Sequence, residues 1–201
     1  MRAENSLLRE QVRTDALTGL HNFRFFSDTL PLEMERSRRS HQALSLILLD
    51  VDHFKKFNDT WGHEIGNQAL MLVANLITLT IRKLDYACRF GGEEFVILLP
   101  NTDIRDAKSV AERLREAIQN TPLVKDGRSF PLTASLGVDE LRSTHNETPQ
   151  DFIKRVDSLL YEAKHDGRNC VKSPETETSV SQSTVTIAEK DVLFRLFDGE
   201  E

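Results

Sequence analysis

Two apolar runs, Tyr86–Phe90 and Phe95–Leu99, are separated only by Gly91, Gly92, Glu93 and Glu94. Four residues cannot hold a crossover helix, so the runs read as the arms of an antiparallel hairpin. A hairpin in the middle of the chain disfavours a doubly wound parallel sheet. It also puts two glycines and two carboxylates at its tip, in the stretch "RFGGEEFVILL", a charge concentration that a connecting turn does not need.

The flanking segments complete the fold class. "LSLILLD" (44–50) is a short continuous apolar run ending in charge and reads as a buried strand. Helix is expected over about 22–40, kinked or restarted at Pro31, then over 67–83, 106–119 and 149–165, the last ending near Gly167. "FPLTASLGV" reads as one strand, paired across "KDG" with residues near Val124. Helices interleaved with strands that pair mostly with non-sequential neighbours give an α/β (α+β) sandwich. Residues 1–14 read as a linker helix, 15–172 as the domain, and 173–201, Ser/Thr-rich and aperiodic, as a disordered tail. The terminal "DVLFRLFDGEE" is a frayed helix or a docking peptide.

Composition narrows the function classes. The 201 residues include eleven Phe and fill one sizeable core, and a net charge of −6 disfavours a general nucleic-acid partner. Cys88 and Cys170 have no metal or disulfide-framework spacing and suit a reducing cytosol. The longest apolar run, 69–81, is too short to span a bilayer and no secretion signal is visible, so a cytoplasmic location is expected, with any membrane anchor outside this chain.

The strand ending at Asp50 continues as "DVDHFKKFND". Asp50 and Asp52 are expected on opposite faces if the strand persists that far, leaving only one of them for a given site, and Glu93 meets Asp50 if their strands are neighbours. Two carboxylates and a carbonyl such as that of Val51 form an oxygen site suited to Mg²⁺, which keeps its other positions for water and phosphate oxygens. Gly91 and Gly92 then permit positive φ and let a nucleotide approach the backbone. Lys55 stands beside the acidic strand end, and Lys164 and Arg168, four apart, share one face while their helix lasts. Such cations are what a triphosphate needs beside a metal. Each motif alone has an ordinary structural explanation, as a solvated turn, a capping Asp, or cations at a helix C-terminus.

Taken together and in order, "DALTGLHN", "LDVDHFKKFNDTWGHEIGN", "GGEEF" and "YEAKHDGRN" resemble the GGDEF family of diguanylate cyclases, over about residues 15–172. The resemblance implies a central, mostly antiparallel sheet wrapped by helices, similar to nucleotidyl cyclase and polymerase palm domains. It implies condensation of two GTP into cyclic di-GMP with release of two pyrophosphates. It implies Mg²⁺, with Mn²⁺ as a substitute, held by Asp50, the Val51 carbonyl and Glu93. Glu93 is also the implied proton acceptor, with Glu94 as a second metal or base candidate. Lys55, Lys164 and Arg168 resemble the triphosphate contacts, and Asn58 and the position of Asn67 the guanine contacts. His63, in "WGHEIGN", either fixes its loop by a hydrogen bond or touches the ligand. Joining two identical nucleotides by two identical bonds calls for a homodimer in which each domain holds one GTP. "RKLD" places Arg82 and Asp85 as a product-inhibition site for cyclic di-GMP, with Arg113 as a second arginine. A sensory or receiver domain is expected upstream.

One position departs from the family. Asn67 stands where a carboxylate is usual, and a carboxamide has only one accepting oxygen for the guanine N1–H and N2–H. Weakened guanine preference, on the order of 1–3 kcal/mol, is expected, and two outcomes are open: some use of ATP with formation of cyclic GMP-AMP, or a cyclase that makes cyclic di-GMP less efficiently. The alternative from another class is a catalytically silent receptor for cyclic di-GMP or GTP. A pure interaction module would need none of this phosphate and metal chemistry.

Overall fold

Every residue of β2 (Leu44–Val51) is buried, which a strand achieves only when both faces of its sheet are covered. The computed structural model describes residues 13–142 and 147–174. The leading helix, the tail beyond Pro174 and the terminal "DVLFRLFDGEE" lie outside those residues.

Side chains of β2 divide by parity. Ile47, Leu49 and Val51 enter one cluster with Val73, Ile77, Ala111, Leu114 and Ile118, which belong to α3 (His63–Thr80) and α4 (Ile104–Asn120). Leu44, Leu46 and Leu48 enter a second with Phe26, Leu30 and Met34 of α1 (Phe23–Ser40) and Phe152, Val156 and Leu160 of α5 (Pro149–His165). Each fully buried aliphatic side chain contributes about 1.5–3 kcal/mol, so the two clusters hold the sheet between two helix pairs.

The six-stranded sheet runs β1 (His21–Asn22), β3 (Tyr86–Arg89), β4 (Glu94–Pro100), β2, β7 (Ala134–Glu140), β8 (Val171–Lys172). Its inner pairings, β3 with β4, β4 with β2 and β2 with β7, are antiparallel, and only the short outer pairings are parallel. This is the expected mixed, mostly antiparallel sheet under helices. The 86–99 hairpin forms as read, Tyr86 opposite Leu98 and Arg89 opposite Phe95.

Four local expectations need correction. α1 does not restart at Pro31 but continues through it as one helix. The ring lies on the exposed side while Leu30 and Met34 are buried, and that packing offsets the lost backbone bond. "FPLTASLGV" is two strands. β6 (Arg128–Phe130) pairs with β5 (Leu123–Lys125) around a turn with Asp126 and Gly127 at φ 51° and 73°, while β7 joins the main sheet beyond Pro131. α3 begins at His63, so "GHEIGN" is its first turns rather than a loop. A short helix, α2 (Phe54–Trp61), precedes it; Phe54 is buried and Phe57 half-buried, but eight residues display too little periodicity to read.

Gly137 brings α5 onto the sheet. A Cβ there would lie 2.4 Å from the Val156 carbonyl oxygen and 2.5 Å from the Leu160 nitrogen, both backbone atoms of α5. No side chain fits, and the helix carrying Lys164 sits correspondingly close to β2 and β7.

Candidate active site

Asp50 is the last even-numbered residue of β2 and so faces α5. Its Oδ2 accepts from Lys164 Nζ at 2.7 Å, and the pair is largely buried on the Asp50 side. Across the ladder Asp50 stands opposite Glu94, and the Val51 N–H donates to the Glu93 carbonyl at 3.3 Å. The β2–β4 pairing therefore brings Asp50, Val51, Glu93 and Glu94 to one end of the sheet. Burial pushes the Asp50 carboxyl above the ordinary carboxylate value; the Lys164 hydrogen bond opposes this and nearby Asp52 reinforces it. Burial, then the charges of Asp50 and Glu94, push Glu93 upward as well. Two carboxylates raised by burial, one of them also by the other's charge, beside a strand-end carbonyl, are a donor set that a small divalent cation fits. Among the described residues no group of three or more His, Cys, Asp or Glu is arranged to hold a metal, so any ion here depends on this oxygen set and its ligand.

The glycines work differently from expectation. Neither Gly91 nor Gly92 adopts a left-handed φ. A Cβ on Gly91 would lie 2.6 Å from the Glu94 carboxylate, which folds back over it, whereas one on Gly92 would meet nothing within 4 Å. Gly92 is thus the bare, exposed point of the turn. The turn is braced by Arg89, whose Nε donates to the Gly91 carbonyl at 3.1 Å and Nη2 to the Gly92 carbonyl at 2.6 Å. Arg89 Nη1 is paired in turn with Asp15 at 3.3 Å. Asp15 also accepts from the Thr18 N–H and hydroxyl at 2.9 and 2.7 Å. Burial works against the Asp15 charge, but these Thr18 and Arg89 contacts outweigh it and hold the carboxyl below the ordinary range. Neither Asp15 nor Arg89 was singled out from sequence; the available signal was the Asp-x-x-Thr spacing of an Asx turn.

The late cations reach the same end by an unexpected route. α5 stops at His165, so Arg168 shares no helical face with Lys164. Gly167, Arg168 and Asn169 all have positive φ (101°, 65° and 45°), and this left-handed turn returns Arg168 toward the sheet, where its charge is felt by Asp50. Asp52 does not turn to the face opposite Asp50 as expected: its carboxylate accepts from Ser135, the β7 residue that stands opposite Asp50 in the ladder. What distinguishes Asp52 is that β2 has ended. Its buried carboxylate accepts from Thr133 Oγ1 (2.8 Å), Ser135 Oγ (2.7 Å) and the Asn169 N–H (3.0 Å).

On α2, Lys55 is exposed and Asn58 half-buried on one side of the helix. Asn58 Oδ1 is buried without a hydrogen-bond partner among the described residues and occupies the space over Gly66, 1.8 Å from where a Cβ would be. Asn67, the next residue on α3, is exposed. His63 opens α3 and its side chain makes no hydrogen bond among the described residues, so the loop-fixing role is not observed. A separate cleft of about 520 Å³, lined by Lys56, Phe57, Thr60, Trp61 and Leu132, opens on the other side of α2.

The "RKLD" residues form a second polar region beyond α3. The Arg82 N–H donates to Asp85 Oδ2 at 2.7 Å and the Asp85 N–H to the Arg82 carbonyl at 3.0 Å, a closed turn that leaves the Arg82 side chain exposed. Burial pushes Asp85 upward, against the Arg82 backbone bond. Arg113 Nη2 donates to the Thr80 carbonyl at 3.2 Å, placing that guanidinium by the same helix end. A cleft of about 480 Å³ is lined there by His21, Arg82, Lys83 and Asp85.

No described helix is long and apolar enough to cross a membrane. Residues 12–170 match the family described as "Diguanylate cyclase, GGDEF domain". The response regulator PleD of Caulobacter vibrioides is 41% identical over 160 residues, covering 79% of this chain and 35% of PleD. This chain therefore spans about a third of that relative's length. Among solved structures, the diguanylate cyclase SiaD of Pseudomonas aeruginosa, in complex with its activator SiaC, superimposes with a TM-score of 0.77 at 40% identity over 86% of this chain and 66% of that one. The coiled coil and GGDEF domain of DgcB from Caulobacter crescentus, in complex with c-di-GMP, gives 0.77 at 30% identity over 86% and 91%.

Proposed function

This chain belongs to the GGDEF-domain family of diguanylate cyclases, and from that premise we propose that it condenses two GTP into cyclic di-GMP and two pyrophosphates. The observation that carries the reading is the convergence of Asp50, Val51, Glu93 and Lys164 on one sheet end. Each 3′-hydroxyl attacks the α-phosphorus of the other nucleotide; one P–O bond forms, the bond to the β-phosphate bridge breaks, and pyrophosphate leaves. Glu93, with Glu94 behind it, accepts the hydroxyl proton and passes it to water. Asp50, the Val51 carbonyl and Glu93 would hold Mg²⁺, or Mn²⁺ in its place. The bound ion supplies Lewis-acid activation of the hydroxyl and neutralisation of the departing pyrophosphate. Lys164 and Arg168 take the phosphates with Lys55, which offsets charge as it develops. Asn58, Asn67 and His63 lie on the side of α2 and α3 from which guanine is read, and the bare Gly92 admits the nucleotide to the turn.

Catalysis requires a two-fold pair of domains, each presenting its hydroxyl to the other's phosphorus, and specific activity therefore falls on dilution below the dimerisation constant. Cyclic di-GMP returns as an inhibitor at the cleft of Arg82 and Asp85, aided by Arg113. An upstream receiver or sensory domain governs the pairing, and the domain works in the cytosol, where GTP is available. Nucleotide turnover with product identification by mass tests the core reading: cyclic di-GMP and pyrophosphate appear with GTP and Mg²⁺, and Glu93→Ala lowers the rate by about 100-fold or more. Tight GTP or cyclic di-GMP binding without pyrophosphate release would instead establish the silent receptor. A second reading concerns Asn67. A carboxamide that both donates and accepts relaxes the preference for guanine, so GTP and ATP together give some cyclic GMP-AMP; undiminished exclusion of ATP from such mixtures rejects it.

A further inference from the structure

Asp52 lies two residues beyond Asp50 and has no place in the chemistry above, yet its carboxylate is buried and fully engaged. Three donors from two segments converge on it: Thr133 Oγ1 and Ser135 Oγ at the start of β7, and the main-chain N–H of Asn169 after α5. A further backbone bond runs from the Asp52 N–H to the Thr133 carbonyl at 2.9 Å. Asn169 follows Arg168, and both are non-glycine residues at positive φ, a conformation that persists only where surrounding contacts impose it. The other grips on this turn are Arg115 Nη1 on Asn169 Oδ1 (3.3 Å), the Asn169 side-chain amide on Gln119 (3.1 Å), and the Arg168 N–H on the Ala163 carbonyl (3.1 Å). Among the described residues, Asp52 is the one whose side chain bonds this turn to the end of the strand that carries Asp50.

We propose that Asp52 is a positioning residue: its carboxylate latches the left-handed 167–169 turn to the end of β2 and so sets where the Arg168 guanidinium stands relative to Asp50 and the nucleotide's phosphates. The proposal rests on the reading of Arg168 as a phosphate contact. A carboxylate accepts from all three donors, Ser135 on one oxygen and Thr133 with Asn169 on the other, whereas an amide keeps one accepting oxygen and replaces charge-assisted bonds by neutral ones, so Asp52→Asn weakens the hold on the turn with little change in volume.

The test is a double-mutant cycle on the full chain, with wild type, Asp52→Asn, Arg168→Ala and the double variant. It reads the dissociation constant of a non-hydrolysable GTP analogue with Mg²⁺, KM and kcat for GTP, and amide hydrogen exchange at Asn169. Asp52→Asn is expected to weaken analogue binding about tenfold, the equivalent of one charge-assisted hydrogen bond, to raise KM more than it lowers kcat, and to speed exchange at Asn169. In the Arg168→Ala background the same change is expected to cost less than about twofold, because the turn then has nothing to position. An undiminished, additive effect of Asp52→Asn, or unchanged Asn169 exchange, overturns the latch. A neutral Arg168→Ala instead overturns the phosphate-contact reading and, with it, the functional consequence assigned to Asp52. If Asp52→Asn gives no cooperative thermal transition, Thr133→Val, which removes one donor alone, carries the same cycle with a smaller expected factor.

Discussion

The end of β2 and the Arg82–Asp85 turn both combine carboxylates with arginine or lysine, but they are built for opposite partners. At the strand end, Asp50 and Glu93 are pushed upward by burial, with neighbouring carboxylates adding to it, and Lys164 already sits on Asp50. Negative charge there is in excess and wants a cation. In the Arg82–Asp85 turn the carboxylate is consumed by the Arg82 N–H, leaving the guanidinium outward beside Lys83. Positive charge there is in excess and suits an anion such as a phosphodiester. Backbone geometry, more than residue type, decides which sign each region presents.

The largest effect that sharpens this contrast is expected from Lys164→Ala. Turnover falls about 100-fold as a phosphate contact goes, while Mn²⁺ binding to the nucleotide-free protein, followed by electron paramagnetic resonance, tightens because Asp50 has lost its internal cation. Weaker Mn²⁺ binding in that variant would break the comparison. Arg82→Ala is next: the cyclic di-GMP concentration that halves pyrophosphate release rises about tenfold, and an unmoved value would assign inhibition elsewhere. Gly137→Ala forces α5 off the sheet and is expected to cost about 1–3 kcal/mol in chemical denaturation, with GTP turnover falling as Lys164 retreats from Asp50. The smallest effect concerns the brace behind the Gly91–Gly92 turn. Asp15 has a folded pKa below its unfolded one, so its contribution is present above the ordinary carboxylate range and is lost as pH falls through the folded value. Asp15→Asn is therefore expected to destabilise by about 1 kcal/mol at neutral pH, with the gap to wild type closing in acid. A gap that stays constant down to pH 2 would place the effect outside the Asp15 charge.

Parts of the site were open to reading before any coordinates. The hairpin with GGEE at its tip and the all-apolar strand running into Asp50 require only periodicity and turn length, which are local. α2 escaped because eight residues show little more than two turns, and "FKKFND" contains the Asn and Asp that usually mark loops. The left-handed return at 167–169 escaped because only Gly167 advertises positive φ, whereas Arg168 and Asn169 adopt it under tertiary contacts. The Arg89–Asp15 pairing and the Asp52–Asn169 bond escaped for a related reason: these partners lie 74 and 117 residues apart, beyond any pattern of spacing.

From the order of residues alone came the element types, the sheet with helices on it, and the acidic and basic motifs, because propensity, alternation and turn chemistry act over a few neighbouring positions. Only the folded chain decided which motifs meet. The antiparallel register of β2 with β4 puts Asp50 opposite Glu94, the missing Cβ of Gly137 lets α5 settle until Lys164 reaches Asp50, and the end of β2 turns Asp52 from a site candidate into a support. Those outcomes depend on packing distances and on which buried donors need an acceptor, quantities that exist only once distant segments share a core.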